Sequence, residues 1–542
     1  MSTVMAQHGH QMHSFEYYPS AHISRSKFNR SHSLITTMNA GYIVPIWHDL
    51  AYPGDTLIMS ARTLTRLATQ LVPFMSNVYM DIHFWCVPLR LIWEHWTAMN
   101  GEQPNPGDST DYLTPQITAT PQVGDIYDYF NVPIGVESKF NAFNFRAYNL
   151  VYNEWYRDEN LQERVPQNVS DNDISSNYTL LKRGKRKDYF TGALPWPQKG
   201  GEVDLPLGTS VPVSVYGNGK AVTWTNGTSE GTFSTSNTNN ICHSTATNIN
   251  VGATASHSIW SPDLSAIGVT TDPAKSGLVG VADLSSATSA TINSLRQAFA
   301  IQKMLEKDAR GGTRYIEMIL SHFGVKSPDA RLQRPEFLGG ATFDLNLSVV
   351  PQTSATTSNS TPLGDLASYG VINGSSKRIV HSFTEHCVVF GVASIRSEYY
   401  YQQGLERDYS KRSRIDFYLP VTAHLGEQAV LNKEIYAQGT SADDEVFGYQ
   451  ERWSEMRYKN SYITGQTRST AGQPLDYWHL GQEFANLPAL NAEFIQENPP
   501  IDRVIAVAES ENTPQFICNF FFDEQWVRPM PVYSTPGMQS HF

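Results

Sequence analysis

With 542 residues and a formal net charge of −12, the chain is too acidic as a whole for a general nucleic-acid-binding protein, so any contact with nucleic acid has to be local. Its four cysteines, Cys86, Cys242, Cys387 and Cys518, lie far apart with no CxxC, which argues against a disulfide framework or a zinc site and for a reduced compartment. No apolar run approaches the ~20 residues that span a bilayer, and the N-terminus lacks the apolar stretch of a signal peptide, so the expectation is a soluble product of a cytoplasm with no membrane insertion.

Residues 1–32 are polar and histidine-rich, with Glu16 as the single acid and Arg25, Lys27 and Arg30 near the end. Without periodicity they read as an extended basic arm. From Ser33 to Pro88 the pattern is that of strands, with Pro53-Gly54 marking a turn between GYIVPIWHDL and DTLIMSARTLTRLA. In VYMDIHFWCVP, Val78, Met80, Ile82, Phe84 and Cys86 alternate with Tyr79, Asp81, His83 and Trp85, which predicts a half-buried strand. The period then changes: Leu89, Ile92, Trp93, Trp96 and Met99 form a helical stripe. Further helices are predicted over Phe143–Leu161, Ile292–Ala309 and Tyr315–Phe323, the last closed by Gly324.

Tyr178 to Gly200 is basic, aromatic and proline-containing, with Lys182, Arg183, Lys185, Arg186 and Lys187 in the run KRGKRK. Tyr178, Tyr189, Phe190 and Trp196 flank it, and phosphate contacts beside stacked rings are how single strands are held without sequence reading. A second basic cluster comprises Arg407, Lys411, Arg412 and Arg414. A solvated face is the ordinary fate of either cluster. Residues 209–291 are mostly Ser, Thr, Asn, Gly and Ala and cannot bury a core of their own, so they read as an elaborate surface loop, disordered or ordered by neighbouring copies. Strand-rich sequence returns at Val380–Tyr401 and at Gln515–Pro531, where Phe516, Cys518, Phe520 and Phe522 face one way. Sheet material at both ends, with helices and loops between, predicts an antiparallel Greek-key barrel whose terminal strands pair.

No HExxH, GxSxG, GxxxxGK[ST] or GxGxxG occurs, so no catalytic constellation, cofactor or metal is expected and the chain does not read as an enzyme. Glu94-His95 and Glu385-His386 are adjacent pairs pointing to different faces, and His8, His10 and His13 sit in the arm without a framework to shape a metal site. Trp93, Trp96, Trp155 and Trp526 read as core or interface groups. An abundance of Trp and Tyr on β-architecture leaves open an alternative, a carbohydrate-binding or carbohydrate-processing protein, against which stands the lack of a carboxylate pair.

Six segments carry a resemblance: RSKFNRSH at 25–32, AGYIVPIWHDLAYPGDT at 40–56, VPLRLIWEHWTAMNGEQ at 87–103, FRAYNLVYNEWYRDENLQ at 145–162, LLKRGKRKDYFTGALPWPQKG at 180–200, and the C-terminal VRPMPVYSTPGMQSHF. Together they resemble the major capsid protein of microviruses, small icosahedral single-stranded DNA bacteriophages, and most closely the gokushovirus branch. The resemblance implies an all-β, eight-stranded antiparallel viral jelly roll over residues 33–542, with long loop and helical insertions. It implies a T=1 shell around a circular single-stranded DNA genome, built in a bacterial cytoplasm and located in the virion. Residues 209–291 would be the variable protrusion at the threefold axes, used in host attachment. The implied partners are further copies of the chain, the DNA, a small basic DNA-packaging protein, a minor pilot protein, an internal scaffolding protein and a bacterial surface receptor. The arm and the KRGKRK run would then tether DNA.

Overall fold

The computed structural model describes residues 24–201, 203, eight short strands between Val213 and Ala282, and residues 292–326, 333–353, 363–506 and 514–533. The chain divides into two compact units, residues 1–199 with 306–542, and residues 200–305. His8, His10 and His13 lie outside the described residues.

The larger unit is built on one curled antiparallel sheet of ten strands. They are β1 (Ser26–Asn29), β2 (His32–Met38), β3 (Val44–Ala51), β4 (Thr56–Leu67), β5 (Val78–Pro88), β6 (Glu336–Pro351), β7 (Leu366–Ser375), β8 (Ile379–Ser382), β9 (Cys387–Ser397) and β10 (Phe516–Arg528). Eight of them run in the order β1-β10-β4-β7-β6-β5-β9-β3. The other two share an edge with a strand already on that path, β2 lying along β10 and β8 along β4. The fold is therefore the mostly-β, jelly-roll-type architecture that the sequence predicts, with ten strands filling eight positions. As expected, the two ends of the chain pair: β10 lies between β4 and the N-terminal strands, with Phe28 opposite Trp526 and Leu34 opposite Phe520. The sheet begins at Ser26, so the last part of the predicted arm is an edge strand.

Alternation explains the core. In β10, Phe516, Cys518, Phe520, Phe522 and Trp526 are fully buried, and in β4 Leu57, Met59, Ala61 and Leu67 face them from the neighbouring strand. Removing one such ring from water contributes ~1.5–3 kcal/mol. The sheet curls at β6, whose first half pairs with β5 and whose second half pairs with β7. A register shift between Phe337 and Gly339 forms a bulge there, with Gly339 at φ 154°. The Pro53-Gly54 turn links β3 to β4 with Gly54 at φ 89°, a conformation that favours glycine.

β5 departs from expectation. It is buried on both faces, because residues 89–181 fold back over the side that carries Asp81, His83 and Trp85. Trp93, Phe143, Phe145, Tyr148 and Phe390 build that second core. The predicted helix at 89–99 is instead a 3-10 turn, Leu89–Leu91, followed by a single α-turn, Trp96–Met99, although the stripe faces the core as its spacing requires. The backbone between them turns aside to pair Glu94 N–H with the Val169 carbonyl. Helix α1 (Phe143–Val151) is shorter than predicted and passes into a π-turn at Tyr152–Tyr156, which ends at Arg157. Helices α2 (Ile292–Arg310) and α3 (Tyr315–Phe323) match their predicted spans, and Gly324 closes α3 at φ 68°.

In the 200–305 unit, strands of two to four residues form a six-stranded antiparallel sheet, beside a two-stranded ladder of Val213–Gly217 with Leu278–Ala282. Cys86, Cys387 and Cys518 are buried free thiols. No described helix is long and apolar enough to cross a membrane.

A basic, aromatic cleft as candidate nucleic-acid interface

Three stretches of chain meet on the outer side of β5. The strand contributes His83 and Trp85, the π-turn contributes Trp155 and Tyr156, and the KRGKRK segment crosses beside them. The segment is held there as a strand would be. Arg183 N–H donates to the Gly41 carbonyl at 2.7 Å, Ile43 N–H to Leu181 at 2.9 Å, and Lys185 N–H to Ile495 at 2.7 Å. The result is an open cleft of about 490 Å³, lined also by Arg157, Asp158 and Phe337.

One wall is aromatic. The Trp85 ring lies 5.1 Å from that of Trp155 and 5.0 Å from Phe337. Trp155 and Phe337 are both exposed, so their rings are available to a ligand. Trp155 is fixed by its indole N–H, which donates to the Pro335 carbonyl at 3.1 Å, and by the Arg334 guanidinium 4.2 Å from its ring centre. Below it the Tyr156 hydroxyl accepts from the Trp85 indole at 3.3 Å and lies 2.7 Å from His83 Nδ1. Burial, aided by the Arg183 charge, pulls the His83 pKa down to about 4, so this ring is neutral at neutral pH.

The other wall is basic, and the run divides into half-buried anchors and exposed charges. Arg183 Nη1 reaches Asp81 Oδ2 at 2.5 Å and the Ser394 hydroxyl at 2.9 Å. Arg396 Nε donates to the same carboxylate oxygen at 2.9 Å, and the Thr342 hydroxyl donates to the other at 2.6 Å. The half-buried Lys185 places its ammonium 4.6 Å from the Phe494 ring centre, and burial lowers its pKa. Arg186 and Lys187 point outward with side chains 56% and 58% exposed, Arg186 3.7 Å from Asp81 and Lys187 paired with Asp158. Five cations thus line the cleft against Asp158, with Asp81 beneath the floor. Lys182 stands outside it, over the Tyr42 ring and 3.2 Å from Asn498 Oδ1.

The sequence-predicted residues therefore fall into two places. Arg25, Lys27 and Arg30 lie at the β1 edge, where Arg30 pairs with Asp49. No hydrogen bond or ion pair among the described residues joins them to the cleft. The aromatics that flank the run in sequence are not those that line the cleft: Tyr178, Tyr189 and Phe190 are core residues. The exposed rings come from positions 155 and 337, and of these the sequence singles out only Trp155, as a core or interface group. The other predicted tryptophans separate in the same way, Trp93 and Trp526 being fully buried. His95 is engaged by Asp171 and Glu385 by Arg90, which leaves neither adjacent pair a shared task. No group of three metal-ligating side chains occurs among the described residues.

The chain matches the family profile described as "Capsid protein (F protein)" over residues 17–538. It is 45% identical to capsid protein VP1 of Bdellovibrio phage phiMH2K, over 98% of this chain and 99% of that protein. It is 40% identical to capsid protein VP1 of Chlamydia phage 1, over 97% of each. With capsid protein VP1 of Spiroplasma virus 4 the identity is 34%, over 99% of this chain and 100% of that protein.

Proposed function

As this chain belongs to the phage capsid F-protein family and is a microvirus-type capsid protein, we propose that it closes into a T=1 shell around circular single-stranded DNA and holds the strand in the basic, aromatic cleft. The observation that carries the second half is the pairing of exposed Trp155 and Phe337 with exposed Arg186 and Lys187 in one cleft. Stacking on rings beside phosphate contacts tolerates any sequence, as an enclosed genome demands. The cations favour a polyanion over the neutral glycan of the alternative reading. Lys182 and the edge-strand residues Arg25, Lys27 and Arg30 extend the contact to further phosphates.

A triple variant, Trp155→Ala, Arg186→Ala and Lys187→Ala, is expected to bind an oligothymidylate at least about tenfold more weakly, since removing one base stack costs ~1–3 kcal/mol. The slope of log affinity against log salt is expected to shrink by about 0.7 for each phosphate that the variant no longer neutralises. Unchanged affinity and slope would remove the cleft from DNA binding and leave the capsid role untouched.

A net charge of −12 per subunit cannot neutralise a genome, so a small basic packaging protein or cations supply the balance. Scaffolding and pilot proteins complete the assembly set, and the 209–291 excursion meets the bacterial receptor. Deleting 209–291 is expected to preserve particles and abolish attachment to the host; loss of particles would make the excursion a clamp between subunits.

A further inference from the structure

Two exposed faces of the larger unit are complementary in charge, each with apolar groups exposed beside the charges, and neither serves the cleft. The first is the segment 409–421, which contains Lys411, Arg412 and Arg414 of the second basic cluster. It is fastened from beneath: Arg407 pairs with the buried Glu434 at 2.8 Å, and the Thr422 carbonyl accepts the Trp453 indole N–H at 3.0 Å. Above these anchors Tyr409 and Val421 are 77% and 87% exposed, with Phe417 exposed between them. Arg412 and Arg414 are exposed and form no side-chain ion pair among the described residues, while the Arg412 backbone N–H donates to Asp416 Oδ2 at 3.0 Å. Exposed rings and arginines on a fixed backbone are the composition of an interface hot spot, with little ordering left to do on contact.

The second face is 121–137, the connection between the paired strands Gln116–Ala119 and Ser138–Asn141, closed by the Gly135 N–H on the Pro121 carbonyl at 2.9 Å. It exposes Val123, Ile134 and Val136, and between 121 and 137 it carries Asp125, Asp128 and Glu137 and no cation. None of the three carboxylates forms an ion pair among the described residues. No hydrogen bond or ion pair of the described residues joins this face to 409–421 within one chain.

We propose that segment 409–421 of one copy docks on the 121–137 connection of a neighbouring copy, Arg412 and Arg414 meeting the acidic rim around the apolar contact. Two different patches meeting head to tail are what a rotationally closed ring of identical subunits uses. This rests on the reading of the chain as a self-assembling shell subunit and names the surfaces by which it assembles.

The test is a charge exchange in the full chain. Arg412→Glu with Arg414→Glu is expected to reduce the yield of closed particles at least about tenfold while the soluble chain keeps its folded spectrum, because like charges now face each other. Adding Val123→Arg and Glu137→Arg is expected to restore particles. Normal particles from the first variant, or a folded four-site variant that assembles no better than it, would overturn the contact; in the former case the basic segment would be free for another coat component. A second measurement separates this contact from shell closure. Chains carrying Phe417→Cys are mixed with chains carrying Val136→Cys and oxidised. Cross-linked pairs without shells would sink the shell reading and keep the contact, whereas shells without cross-links would overturn the contact alone.

Discussion

Replacing Asp81 by Asn is expected to cost about 3–5 kcal/mol of stability, the loss typical when one partner of a buried ion pair is removed. Asp81 sits on β5 almost wholly out of water, with Arg183 and Arg396 on one oxygen and the Thr342 hydroxyl on the other. Burial alone would raise its carboxyl pKa, but Arg183, Thr342 and Arg396 together hold it well below the ordinary carboxylate range. The amide keeps the shape and loses the charge, so both guanidiniums are left facing each other. Because the folded pKa is depressed, the stabilisation is fully present above the unfolded value of about 3.9 and is lost as pH falls below it. The gap in urea stability between the two proteins should therefore be constant from about pH 5 upward and narrow in stronger acid. A gap that stayed constant below pH 3, or none at neutral pH, would contradict the assignment. Adding Arg396→Met to the variant should recover part of the loss, since it removes one unpaired charge.

Asp81 also marks the limit of what local sequence discloses. The alternation in 78–88 identifies the strand, and the apolar partners of β10 follow from the same period. Yet the face of β5 carrying Asp81 reads as polar and half-solvated, because its cover comes from residues 89–181 and its counter-charges from positions 183 and 396. No window of sequence contains them together. The basic run was legible as a charged segment beside aromatics, but nothing local separates the anchors Arg183 and Lys185 from the exposed Arg186 and Lys187. That division depends on which side of a held strand meets β5. The helical stripe at 89–99 gives the right buried residues and the wrong backbone, since burial fixes side chains while the Glu94–Val169 bond redirects the chain.

The second large effect is expected at Gly41, in the turn between β2 and β3, which bonds both the sheet and the segment that forms the basic wall of the cleft. Its N–H donates to the Ile395 carbonyl at 2.8 Å and its carbonyl accepts Arg183 N–H at 2.7 Å, so it ties β9 to the basic segment. Gly41 has φ 86°, and a Cβ built there would lie 2.2 Å from the Glu497 carbonyl oxygen. Gly41→Ala is therefore strained twice, by ~1–2 kcal/mol for a left-handed backbone and by the displacement of a neighbouring main chain, on the order of 3 kcal/mol together. Glu497 N–H bonds the Arg183 carbonyl at 2.7 Å and Ile495 lines the cleft, so the displacement passes directly to the basic wall of the cleft. Gly101→Ala is the matched control: φ is 100°, but no atom lies within 4 Å of the added carbon. It should show backbone strain alone, ~1–2 kcal/mol, with oligothymidylate affinity unchanged. If Gly41→Ala were no less stable than Gly101→Ala, the close approach at Glu497 would not exist in solution. If it were less stable yet bound DNA as well as the control, the cleft would not depend on the strand-like seating of its basic wall.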